Sequence, residues 1–373
     1  MTIQTSFRTI SQGILTAVAA LILTLLLPLS ASAAVGDTVN IAVGTTPRAI
    51  AISPDGTKVY VANSASNTVS VINATTNTVS ATINVGQSPR AVEVSPDGSK
   101  LYVANLSSDS MNVINTSTNQ VTNTVSLGLS PLAIAVSGDG SKVFVANWAA
   151  DTVSVVDATS LNVSATINVG DGPQALGLSS QSGLLYVANG RDDTMTLINT
   201  ATNTVTQTIN TGLSNPNTLL VSADGTLLYV LNNGTNAIQV RSTANNAVTA
   251  TFAVASQPSS MVFSPLGNYA FVTSFATSVV QKVDLSNGTV LATYTVGTAP
   301  IDLVITPSGF NTFVANYTSN NVTNLTVAEA AAPVDPALAR TGVQPSQAIL
   351  VGVMGVLSLA FGAIEITAAR RTK

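Results

Sequence analysis

Pro47-Arg48-Ala49-Ile50-Ala51-Ile52-Ser53-Pro54-Asp55-Gly56-Thr57-Lys58-Val59-Tyr60-Val61-Ala62-Asn63 returns as Pro89-Arg90-Ala91-Val92-Glu93-Val94-Ser95-Pro96-Asp97-Gly98-Ser99-Lys100-Leu101-Tyr102-Val103-Ala104-Asn105, one period of 42 residues later. Working outward, the same period divides the chain into Ile41–Thr82, Ile83–Thr124, Val125–Thr166 and Ile167–Thr208 with no insertion or deletion. Ile209–Thr251 carries one extra residue before its proline, Phe252–Thr293 returns to 42, and a last copy from Tyr294 stops near Val327. A period of about 40–45 residues marks a repeat architecture. Each unit is too small to bury its own apolar surface, so neighbours must stack.

One copy contains four short runs rich in Val, Ile, Thr and Tyr: 47–52, 58–63, 68–73 and 78–84. Such runs, separated by turn residues, read as four strands joined by hairpins. In Ser53-Pro54-Asp55-Gly56, proline fixes φ, aspartate can bond its own backbone and glycine supplies a positive φ. The expected fold is therefore all-β. Hairpins and the length of the unit favour a propeller over a β-solenoid. The first two runs are apolar on both faces, as blades sandwiched between neighbours require, while the outer two turn to Ser, Thr and Asn. The ends complement each other. The seventh copy lacks a fourth strand, and Thr38-Val39-Asn40-Ile41-Ala42-Val43-Gly44 has that strand's pattern but no blade of its own. Pairing them predicts a seven-bladed propeller over 34–327, its last blade closed by the N-terminal strand, with no exposed seam edge.

Tyr60-Val61-Ala62-Asn63, Tyr102-Val103-Ala104-Asn105, Phe144-Val145-Ala146-Asn147, Tyr186-Val187-Ala188-Asn189 and Phe313-Val314-Ala315-Asn316 recur in register. With the preceding Ser-Pro-Asp-Gly and the following Asn-Thr-Val-Ser-Val-Ile, they resemble the repeat of the YVTN family of β-propellers, over roughly residues 37–327. Copies five and six depart from it, with Tyr229-Val230-Leu231-Asn232 and Phe271-Val272-Thr273-Ser274. The resemblance implies the fold and says little of function, since propellers host many unrelated activities.

Residues 1–33 hold Arg8, an apolar run from Ile14 to Leu27 and then Ala31-Ser32-Ala33. That is the pattern of a secretory signal peptide with cleavage after Ala33; an uncleaved membrane anchor is the alternative. At the other end, 328–337 is an Ala/Pro tether. It is followed, within 338–373, by Leu338-Ala339-Arg340-Thr341-Gly342, an apolar stretch over about 348–368 and a basic Arg370-Arg371-Thr372-Lys373 tail. The stretch is about long enough to span a bilayer, and the positive tail orients it inward. The order of these parts resembles the LPxTG-type cell-wall sorting signal of Gram-positive surface proteins, with Ala339 where proline is commonest. That resemblance implies a sortase cutting between Thr341 and Gly342 and joining Thr341 to cell-wall peptidoglycan. A plain single-pass anchor is the alternative, and both put the propeller at the cell surface.

Removing Glu365 from the 17 acidic residues, and Arg8, Arg370, Arg371 and Lys373 from the 13 basic ones, leaves 16 and 9 over 34–341, a balance of −7. Without concentrated Lys and Arg, nucleic acid is not an expected partner. The chain has no His and no Cys. Histidine acid–base chemistry, a Ser-His-Asp triad and ordinary zinc or copper sites are thereby excluded. No phosphate-cradling glycine motif is present, so no organic cofactor is expected. Asp55, Asp97, Asp139 and Asp224 share one repeated turn and read as structural. Arg191-Asp192-Asp193 is the one off-pattern cluster, a candidate for Ca²⁺, for pairing within itself, or for plain solvated loop charge.

Hairpin alternation places the Gly-x-x-Pro loops and the loops after Tyr-Val-Ala-Asn on one face. There the residue after each proline varies: Arg48, Arg90, Leu132, Gln174, Asn217, Ser259 and Ile301, predicted to ring the channel mouth. Trp148, the only tryptophan, is expected just past a strand end, as an exposed anchor or packed on the adjacent loop. Candidate ligand-binding residues are therefore Arg48, Arg90, Trp148, Arg191, Asp192 and Asp193. Arg48 and Arg90 fall side by side in adjacent blades, with Glu93 a candidate internal partner of Arg90. The expected function is a non-catalytic binding or adhesion module with an extracellular protein or glycan ligand. The alternatives are an enzyme of lactonase or quinoprotein type, disfavoured by the absence of His and of any convergent carboxylate pair in the sequence, and a structural envelope protein.

Overall fold

The computed structural model describes residues 34–327, apart from 180, 211–212 and 266–268. The leader, tether and sorting signal read from the sequence lie outside the described residues. Among the described residues no helix is long and apolar enough to cross a membrane.

After β1 (Thr38–Ala42), blade one consists of β2 (Pro47–Ile52), β3 (Lys58–Asn63), β4 (Thr68–Asn73) and β5 (Thr78–Asn84), hydrogen-bonded in that order. Five further blades repeat this meander, giving seven four-stranded antiparallel sheets in all. Blade seven has only three strands of its own, Pro300–Ile305, Asn311–Asn316 and Asn321–Thr326. β1 supplies its fourth, with Thr38 opposite Leu325 and Ala42 opposite Asn321. The closed ring predicted from the two incomplete ends is the ring observed.

The core lies between blades rather than within them. Ala49, Ala51, Tyr60 and Val71 of blade one pack with Val92, Val94, Leu101 and Ile114 of blade two. At the closing seam, Ile41, Phe313 and Val322 pack with Ile50, Val59 and Ile72. The repeated aromatic is fully buried at Tyr60, Tyr102, Phe144, Tyr186 and Phe313. The asparagine three residues on is buried too: Asn63 Nδ2 donates to Thr68 Oγ1 (3.2 Å) and Ser70 Oγ (2.9 Å). It also explains the loop glycine, because a Cβ on Gly44 would sit 2.7 Å from Asn63 Cγ.

Polar latches join the blades on both faces. On the turn face Lys58, Lys100 and Lys142 reach across to the next blade, donating to the carbonyls of Thr116 (2.7 Å), Ala158 (2.6 Å) and Thr200 (2.5 Å). On the other face an Asn or Asp held at positive φ accepts from a backbone N–H of the next blade's entry loop. Asn67 takes Ser88 (2.8 Å), Asp109 takes Ser130 (2.7 Å) and Asp151 takes Gly172 (2.9 Å). Asn320 takes Thr46 (2.7 Å) and so repeats the latch across the seam. Asn and Asp tolerate the left-handed region better than other side chains with a Cβ, which is why they recur there.

Candidate functional site

In every blade the first and second strands slip register between the proline and the second residue after it, as between Pro47 and Ala49 and between Pro89 and Ala91. The residue skipped is Arg48, Arg90, Leu132, Gln174, Asn217, Ser259 or Ile301. A bulge adds one residue to a strand and re-aims its side chain. Here it turns all seven onto a channel of about 400 Å³ whose walls are first-strand residues alone. The ring read from the sequence is therefore built, and a β-bulge builds it.

Its members are not used alike. Gln174 Nε2 donates to the Pro216 carbonyl of the next blade (2.7 Å), Asn217 Nδ2 to that of Pro258 (3.3 Å) and Ser259 Oγ to that of Pro300 (2.7 Å). Arg48 turns back instead. Its Nη2 donates to the Tyr317 hydroxyl (3.3 Å) and its guanidinium carbon lies 4.4 Å from the Tyr317 ring centroid. Among the described residues the Arg90 side chain makes no hydrogen bond or ion pair, and its candidate pairing with Glu93 is not formed. Burial first, and the charge of Arg48 second, hold the Arg90 pKa down to about 10; Tyr317 acts the other way. The guanidinium is still charged at neutral pH.

Ring closure also brings together two carboxylates, Glu93 of blade two and Asp302 of blade seven, that the sequence does not place together. Both line the channel and are half-buried. Asp302 is a clamp across three blades. Its Oδ2 accepts from Ile50 N–H of blade one (3.0 Å), and its Oδ1 accepts from Ser260 Oγ of blade six (2.7 Å) and its neighbour Leu303 N–H (2.9 Å). Burial outweighs those bonds and raises its pKa to about 6. Glu93 makes no side-chain hydrogen bond among the described residues. Burial, and then the charge of Asp302, raise its pKa to about 7. The signal for this pair was available: both residues interrupt the alanine and aliphatic pattern of the first strand. Only closure reveals that blades two and seven face one channel.

The remaining candidates lie elsewhere on the loop face. Trp148 is half-buried rather than an exposed anchor. The Arg191 guanidinium carbon lies 3.8 Å from its ring centroid, and Arg191 Nη1 pairs with Asp171 Oδ1 at 3.1 Å. Asp192 Oδ2 accepts from Asp171 N–H (2.9 Å), while its Oδ1 accepts from Thr194 N–H (3.1 Å) and Oγ1 (2.7 Å). Asp193 Oδ1 accepts from Asn215 N–H (3.1 Å) as one more inter-blade latch. The two adjacent carboxylates are thus turned onto different amides and do not converge. Among the described residues no group of three or more acidic side chains gathers as a metal site. Tyr317 and Phe275, whose ring centroids are 6.2 Å apart, occupy the position of Trp148 in blades seven and six, and sequence reasoning passed over them. A larger groove of about 690 Å³ lies at the seam beside Asp37 and Asp55. Both carboxylates there are engaged locally, Asp37 by Ala34 N–H (2.6 Å) and Asp55 by Ser53 Oγ and Thr57.

Known proteins agree with this architecture. The model of the YNCE-like β-propeller family matches residues 13–140 and 129–344. The chain belongs to the YNCE-like β-propeller family. The YVTN-like repeat read from the sequence is consistent with that membership. A chain of the Kuenenia stuttgartiensis hydrazine synthase superposes with a TM-score of 0.70 at 24% identity, covering 76% of this chain and 96% of that one. At that identity the likeness shows the fold alone. No curated protein matches the sequence.

Proposed function

We propose that this YNCE-like propeller is a non-catalytic binding module displayed outside the cell, which captures a ligand by an anionic group at the channel mouth between Arg48, Arg90 and Tyr317. The observation that carries this reading is Arg90, a half-buried cation beside a second cation with no hydrogen-bond partner among the described residues. Two neighbouring guanidiniums repel unless an anion lies between them, and their planar donor forks match a carboxylate. The test is titration of the full chain with hexanoate, followed through the arginine side-chain NMR signals. The signals of Arg48 and Arg90 should shift together, and replacing both by alanine should abolish binding with little change in melting temperature. Binding that survives the double replacement would overturn the assignment.

One observation favours a second reading. A carboxyl group with a pKa near 7, such as Glu93, suits general acid–base work. On that reading the channel is an active site, and Glu93→Gln would remove turnover rather than affinity.

Display at the cell surface rests on the leader ending at Ala33 and the sorting pattern from Leu338 to Gly342. Thr341→Ala should move the protein from the covalently bound wall fraction to the membrane or medium. An unchanged, detergent-extractable distribution would instead support a plain membrane anchor.

A further inference from the structure

Below the arginines the channel is neither neutral nor uniform. The first strand rises about 3.3 Å per residue, so Glu93 Cα lies roughly 10 Å along the strand from Arg90 Cα. The Asp302 backbone, by its place in the repeat, lies between these two levels. The opposite wall, in blades three to five, is largely apolar: Leu132, Ile134, Leu176 and Leu220. One cavity therefore offers two cations at the mouth, two carboxylates further in, and aliphatic surface beside them. Arg90 and Glu93 lie on one strand, yet neither bonds to the other or to any other described side chain. A volume of about 400 Å³ falls in the range of small-molecule sites.

We infer that the ligand of this channel is dipolar, an amino-carboxylate whose acid group meets Arg48 and Arg90, whose ammonium group meets Glu93 and Asp302, and whose methylenes lie on the apolar wall. The inference rests on the anion-binding role assigned to the mouth. It adds what the rest of the ligand must carry. A carboxylate alone leaves Glu93 facing Asp302 with no counter-charge. An ammonium group placed there neutralises the repulsion and donates to the carboxylate that lacks a donor. A cation alone leaves the guanidiniums uncompensated, so neither half of the ligand matches the channel by itself.

The experiment compares 6-aminohexanoate, hexanoate and hexylammonium on the full chain by calorimetry. The amino acid should bind at least about tenfold tighter than hexanoate, and hexylammonium should bind weakest. Glu93→Gln should bring the amino acid down to the affinity of hexanoate, so that the preference between the two acids is lost. Asp302 is a poorer choice for substitution because it clamps three blades. If the two acids bind alike to the unmodified chain, the dipolar inference falls and the anion site stands. If neither acid binds, both fall. The comparison on the unmodified chain decides between these outcomes even if the Glu93 variant does not fold.

Discussion

The two sides of the channel use the same bulge for different ends. In blades four to six the bulged residue is Gln174, Asn217 or Ser259, and each donates to the proline carbonyl of the next blade. Those side chains are seam bonds. In blades one and two it is Arg48 or Arg90, and neither reaches a neighbouring proline; Arg48 lies against Tyr317, and Arg90 has no partner among the described residues. Identical backbone geometry thus yields a self-satisfied arc and an arc with spare charge. What separates them is side-chain chemistry at one position, so a repeat fold can hold its scaffold fixed and vary its binding face blade by blade.

The largest effect should come from opening the ring between blades seven and one, where the charged arc is assembled. Deleting residues 37–43 removes β1, exposes the edge of Asn321–Thr326 and strips Ile41 from the seam core. Cooperative melting should be lost, and carboxylate binding with it. A truncated chain that melts like the parent and stays monomeric would show that closure by β1 is dispensable.

Next in size is the clamp. Asp302→Ala leaves the Ile50 N–H and the Ser260 hydroxyl without their acceptor, and an unsatisfied buried donor costs about 1–3 kcal/mol. Asn217→Ala on the self-satisfied arc loses one hydrogen bond and should cost about 1 kcal/mol. Arg90→Ala should fall within about 0.5 kcal/mol of the parent, since no bond to a described residue is broken. Urea denaturation of the three variants gives the order. A destabilisation by Arg90→Ala as large as that of Asp302→Ala would make the arginine structural and erase the contrast.

The two arcs also differ in their response to pH. Glu93 and Asp302 titrate near 7 and 6 in the folded ring, above the ordinary carboxylate range. The folded state then holds protons that the unfolded chain has released. Stability contributed by the protonated pair is present below about pH 4 and is lost as pH rises to about 7. Discounted for the partial exposure of both groups, the loss is on the order of 2 kcal/mol. Glu93 faces Asp302, with the positive Arg48 and Arg90 toward the mouth. Glu93→Gln should therefore flatten the upper part of the profile. The turn aspartates act with opposite sign and outside this window. Hydrogen bonds from Ser95 and Ser137 lead in holding Asp97 and Asp139 down to about 2, so their contribution is lost only in strong acid. Urea midpoints at pH 5 and pH 8 test the sign; a parent more stable at pH 8 would contradict it.

Much of this was legible in the sequence, and the remainder has a physical reason. Strand number, turn chemistry and closure follow from the 42-residue period and its two incomplete ends, because local patterning determines each hairpin. The seven ring positions follow from their place after the proline. The meeting of Glu93 with Asp302 was not legible, since it depends on residues 209 positions apart that become neighbours only when the ring shuts. Nor was the fate of Trp148, because whether an aromatic stands free or lies under a loop depends on what the next blade sends across. Here that is Arg191.

The smallest effect tests whether the Trp148 group and the channel are separate. Trp148 is the only tryptophan, so its emission reports on one place. Arg191→Ala removes the stacked guanidinium and its ion pair with Asp171, the two side chains being 42% and 51% exposed. An exposed cation–π contact contributes about 0.5–1 kcal/mol and an exposed ion pair little more. The variant should melt within a few degrees of the parent while the emission shifts red as water reaches the indole. Saturating the channel with hexanoate should leave that emission unmoved, because Trp148 does not line the channel and its ring is covered by Arg191. An emission change on adding the carboxylate, absent in Arg48→Ala/Arg90→Ala, would join the two places into one extended site and replace the contrast of two arcs with a single binding face.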